Sequence, residues 1–74
     1  MNVALLGPYK RNQKLIQFLK GDNCNVFNNE SPIDIYWIEK NKISLIICSG
    51  YEPIINKDVI EFINRRIINL HISY

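Results

Sequence analysis

At 74 residues, with hydrophobic side chains at 47% and charged ones at 22%, the chain has a globular balance that excludes a disordered tail or a fibrous repeat. A domain of this size buries only about 60% of the surface its unfolded chain exposes, so marginal stability is expected. Nine Lys and Arg against seven Asp and Glu leave a formal charge of +2, far from the basic excess that neutralises many phosphates, and direct nucleic-acid binding is not expected.

The chain opens on Asn2-Val3-Ala4-Leu5-Leu6, a continuous apolar run stopped by Gly7-Pro8. This pattern predicts a strand buried on both faces and then a sharp turn. The run is too short for a signal-peptide core, and no segment approaches the roughly 18 to 20 apolar residues of a membrane span. Asn12 to Lys20 places Leu15, Ile16 and Leu19 at helical spacing and Lys14, Gln17 and Lys20 on the other face, with Gly21 as the expected C-terminal cap. A short strand over Asn25 to Asn28 is required to bring that helix back to the sheet. Ser31, Pro32 and Asp34 predict the next helix start: an N-cap hydroxyl, a proline at the first helical position and a reciprocal acidic side chain. That helix runs to about Asn41 and turns Ile35, Trp37 and Ile38 inward.

Ile43 to Cys48 is apolar without alternation and rich in β-branched residues, which predicts a second central strand ending at Ser49-Gly50. A third helix from near Asn56 is expected to pack through Val59, Phe62 and Ile63. The last run, Ile67 to Tyr74, reads as a strand. The order βαβαβαβ makes the chain an α/β protein with a Rossmann-like parallel sheet of about four strands and one domain over residues 1–74. No helix follows the fourth strand to cover it, so the chain is expected to be truncated there or covered by another chain. Cys24 and Cys48 form no CxxC and have one His for company, so no metal site is expected and both thiols are read as reduced, in a cytoplasmic protein.

Side chains alternate across a strand, which puts Ile68, Leu70, Ile72 and Tyr74 on one side of the last run and Ile67, Asn69, His71 and Ser73 on the other. Carboxyl ends of parallel strands are where open α/β sheets bind ligands. Asn69 and His71 fall about 7 Å apart on one face. Histidine moves protons near neutral pH, and an asparagine amide can hold a developing oxyanion. Alternation alone leaves a plainer alternative open, a half-exposed strand with an ordinary polar face. Gly7-Pro8 with Lys10, Arg11 and Lys14 could attract an anion at a helix start, but no GxGxxG or GxxxxGK accompanies them, and a solvated basic face explains them as well.

The stretch Arg65-Arg66-Ile67-Ile68-Asn69-Leu70-His71-Ile72-Ser73-Tyr74 resembles the signature strand of the formyltransferases that use 10-formyltetrahydrofolate, with its Asn-x-His-x-Ser pattern. Leu45-Ile46-Ile47-Cys48-Ser49-Gly50-Tyr51 is similar to the family's preceding strand and turn, Asn56 to Asn64 to its connecting helix, and Val3 to Gly7 to its first strand. The resemblance implies a Rossmann-like domain that passes a formyl group from 10-formyltetrahydrofolate to a small-molecule amine. It makes Asn69 and His71 catalytic, as the pair that polarises the formyl carbonyl, and sets Gly7, Gly50, Tyr51 and Ser73 along the substrate or cofactor cleft.

The Asp that completes the family's catalytic set has no counterpart here, nor has most of the folate pocket. The resemblance therefore implies a fragment with little or no turnover of its own. An amino sugar is the first expected acceptor, with methionyl-tRNA or a purine precursor as others. A different class of function is a complete, non-catalytic α/β module that binds or self-associates through its uncovered last strand.

Overall fold

The computed structural model describes residues 1–70, so the positions expected of His71 and Ser73 lie outside the described residues. The chain folds in the order β1 (Asn2–Leu6), α1 (Gln13–Gly21), β2 (Asn25–Asn29), α2 (Ile35–Lys40), β3 (Leu45–Ser49), α3 (Lys57–Phe62) and β4 (Ile67–Leu70). The strands form one sheet in the order β2-β1-β3-β4, and every neighbouring pair is parallel. This is the expected Rossmann-like α/β arrangement. No helix among the described residues is long and apolar enough to cross a membrane.

The unbroken apolar runs become the two central strands, because a strand flanked by neighbours and covered on both faces has no side open to water. Val3, Ala4, Leu5 and Leu6 of β1 are all fully buried. Ala4, Leu6, Ile46 and Cys48 point to the face that receives Ile38 of α2 and Val59 and Ile63 at α3. Val3, Leu5 and Ile47 point to the other, where Ile16 of α1 seals them with Leu15 and Leu19 beside it. One face thus carries two helices and the other carries one.

That imbalance decides the state of β4. Register pairs Ile47 with Ile68 and Ser49 with Leu70, which puts Ile68 and Leu70 on the single-helix face, beyond the reach of α1. They remain 46% and 39% exposed, and Asn69 is exposed as well. Among the described residues the last strand is therefore an open edge, as expected of a strand with no helix after it to cover it. β2 forms the other edge. Its asparagines are accommodated because Asn28 donates from Nδ2 to the carbonyls of Leu5 and Gly7, and Asn25 donates to Asn2 Oδ1.

The helix boundaries differ from the sequence reading at three points. Gly21 is the last residue of α1 and not its cap. The left-handed turn passes to Asn23, at φ 64°, whose N–H meets the Lys20 carbonyl while that of Cys24 meets Leu19, a Schellman closure. The other two helices close in the same way through Lys42 and Asn64, at φ 52° and 56°. Second, α2 begins later than the Ser31-Pro32 signal predicts: Asp34 is its cap, accepting from the Trp37 N–H at 2.9 Å. Extended entry lets Ile33, just before the cap, join Ile38 in the core, as in a hydrophobic staple. Third, Phe62 is 48% exposed, because the short α3 presents its Val59–Ile63 line to the sheet and turns Phe62 away. Trp37 does pack against the core from a half-buried position.

Gly7 sits at φ 138°, and a Cβ there would lie 1.9 Å from the Ser49 carbonyl oxygen. Gly21 is helical with no atom within 4 Å of an added Cβ. Gly7→Ala should therefore abolish the cooperative thermal transition, since the backbone it strikes belongs to a central strand. Gly21→Ala should raise stability by about 0.5 kcal/mol by restricting the unfolded chain. Parallel melts of the two variants followed by circular dichroism check both outcomes.

Candidate functional site

β1 leads to β2 on one side, whereas β3 lies on the other, so the connections diverge above the carboxyl ends of β1 and β3 and leave a crevice there. An open hollow of about 500 Å³ occupies this place, lined by Gly7, Pro8, Glu30, Gly50, Tyr51, Glu52 and Pro53. Gly7, Gly50 and Tyr51, read from the sequence as cleft residues, are thus brought together. Gly50 takes a left-handed conformation at φ 74°, and the Arg11 guanidinium lies against its Cα, 3.1 Å from where a Cβ would stand.

Two asparagines hold the floor of this hollow from opposite sides. Asn12, buried ahead of α1, leaves its own helix uncapped and donates from Nδ2 to the Pro8 and Ser49 carbonyls, each at 3.0 Å. Asn28 reaches from β2 to the carbonyls of Leu5 and Gly7, and the Gly7 N–H donates to the Asn29 carbonyl. The turn after β1 is therefore tied to both neighbouring strands. Sequence reasoning misses both asparagines, because Asn12 reads as the first residue of a helix and Asn28 as part of a short strand; only the fold shows which carbonyls they reach.

Asn69 lies in a second, smaller hollow of about 290 Å³, with Cys48, Tyr51, Pro53, Ile55, Ile60 and Ile67. Register makes Cys48 and Asn69 neighbours across β3 and β4, on the face of α2 and α3. Tyr51 borders both hollows, and its hydroxyl donates at 2.7 Å to the Ser31 carbonyl. Asn69 therefore stands apart from the glycine turns but adjoins them through Tyr51. Its exposed amide is free to meet a ligand oxygen.

Burial pushes the Cys48 thiol above its ordinary 9.0. The Tyr51 phenol is raised from 10.0 by burial first and by the neighbouring Cys48 second, with the Ile33 backbone opposing. Both groups stay neutral near pH 7, so Cys48 is a poor nucleophile and Tyr51 a lasting hydrogen-bond donor. With folded-state values raised, the native chain retains protons that the unfolded chain releases. Their contribution is complete below about pH 9 and is lost as pH rises through the folded-state values. Melting temperature should be level up to that point and fall above it. In Cys48→Ala the fall should start about one unit higher, where Tyr51 of the unfolded chain begins to lose its proton while the buried phenol keeps it.

No protein-family model matches the chain, and no curated protein does. A solved structure does match: the formyltransferase PseJ from Anoxybacillus kamchatkensis, in complex with UDP-4,6-dideoxy-4-formamido-L-AltNAc and tetrahydrofolate. The two are 35% identical and superpose with a TM-score of 0.83, over 100% of this chain and 38% of that one. The chain thus spans well under half the length of its structural neighbour. Parallel strands in this order, the crevice above β1 and β3, and this identity over every residue lead to one conclusion: the chain has a formyltransferase fold.

Proposed function

We propose that the chain is part of a cytoplasmic formyltransferase that moves a formyl group from 10-formyltetrahydrofolate to the amine of a small molecule, an amino sugar before other acceptors. The observation that carries this reading is the 35% identity, over the whole chain, with a formyltransferase whose structure holds tetrahydrofolate and a formamido sugar nucleotide. The residues present fit such ligands. Gly7 and Gly50 expose backbone at the crevice, Asn69 offers an amide from the smaller hollow, and hollows of these sizes suit small-molecule binding.

Tetrahydrofolate, when it carries the formyl group, supplies the carbon that is transferred. The Asn69 amide N–H would donate to the formyl oxygen as negative charge develops on it, a contact stronger in the transition state than in the ground state. His71, two residues on in the sequence, would handle the proton that the amine must give up. Pro8 and Pro53 would keep the walls of the crevice stiff, because proline fixes its own backbone. This chain by itself is read as having little turnover, since positioning both reactants needs more of the pocket than these residues provide.

A second reading, a non-catalytic module that pairs with another copy, is favoured by the exposed Ile68 and Leu70 on the β4 edge. One titration separates the two. Calorimetry with tetrahydrofolate should show saturable binding that weakens about fivefold in Asn69→Ala, the loss of roughly one hydrogen bond. Absence of binding, together with a molar mass that doubles with concentration, would favour the module.

A further inference from the structure

The two hollows share a wall. Tyr51 and Pro53 line both, and the Tyr51 ring packs against the core beneath α2 and α3. The ring is held at both ends. Its backbone follows Gly50, whose left-handed turn aims the chain across the crevice, and its hydroxyl is anchored on the Ser31 carbonyl at 2.7 Å. Ser31 directly follows Glu30, which lines the larger hollow. The phenol therefore spans from the β3 turn to the segment ahead of α2, and a side chain pinned in this way cannot swing aside as a freely rotating one would.

Group transfer between two molecules needs both bound at once, with the reacting atoms about 3 to 3.5 Å apart. We infer that Tyr51 is a positioning residue that divides the crevice into two ligand sites, one on the glycine-turn side and one on the Asn69 side, so that donor and acceptor bind side by side without competing. The inference rests on the reading that the chain handles two reactants. Its particular content is that the partition is this one ring, tethered through Ser31. Burial of the phenol keeps it protonated at neutral pH, which preserves the tether.

The test is calorimetric titration of the 74-residue chain with tetrahydrofolate, alone and with saturating UDP-4,6-dideoxy-4-formamido-L-AltNAc. In the parent chain the sugar nucleotide should change the tetrahydrofolate Kd by less than about twofold, as independent sites require. In Tyr51→Ala, and in Tyr51→Leu, which keeps apolar contact with the core, the apparent Kd should rise at least tenfold when the sugar nucleotide is present, because the merged space admits one ligand. Tyr51→Phe keeps the ring but loses the bond to Ser31, so its apparent Kd should rise by an intermediate amount, about threefold, when the sugar nucleotide is present; a Phe variant indistinguishable from the parent overturns the role of the tether. Competition in the parent, or independent binding in a correctly folded Ala or Leu variant, overturns the partition while leaving the formyltransferase reading in place. A parent chain that binds neither probe overturns the inference, since Tyr51 then separates no two ligand sites, and leaves the likeness to a formyltransferase in place.

Discussion

The turn after β1 and the end of β3 come so close that no side chain fits between Gly7 and the Ser49 carbonyl. Two parallel strands can lie this close beyond their last ladder bonds only if their carbonyls find other donors. The Asn12 amide supplies one to Ser49 and to Pro8, while Asn28 serves the β1 side. No buried side-chain nitrogen or oxygen among the described residues is left without a partner. The crevice floor is thus made of backbone held by two amides.

From that floor the rest of the site follows. Gly50 and Tyr51 leave β3 directly above it, and Tyr51 reaches back to Ser31, connecting the loop ahead of α2 to the loop ahead of α3. Asn69 stands one strand further along the sheet, beside Cys48. The site therefore runs along the carboxyl edge of three adjacent strands. A small chain can hold such an arrangement because helix ends are settled locally: each of the three helices closes by the same pair of backbone bonds through a residue in left-handed conformation, which releases the chain toward the next strand within a few residues.

The unequal coverage of the sheet has the opposite character. α2 and α3 share one face, whereas α1 alone serves the other and leaves Ile68 and Leu70 exposed. In a parallel sheet both faces are ordinarily covered. Asn69 points to the opposite face, that of α2 and α3, and is exposed as well because β4 stands at the edge of the sheet.

Much of this was legible from residue order. Val3 to Leu6 and Leu45 to Cys48 could only be central strands, since their apolar side chains point both ways. The spacing of Leu15, Ile16 and Leu19 set the inward face of α1. The Asn69 pattern pointed to the family through short-range spacing, which a linear sequence preserves. What the order of residues left undecided depends on distance between remote segments. Asn12 reads as the first residue of a helix until Ser49 is seen beside it, and Phe62 as core until α3 proves too short to turn it inward. Tyr51 reads as one cleft residue among several, and only the fold sets it between two hollows. Local pattern and composition determine which segments become strands and helices, because hydrogen-bonding period and burial act over a few residues; which side chains meet across the crevice is decided only when the sheet order brings strands far apart in sequence to within one hydrogen bond of each other.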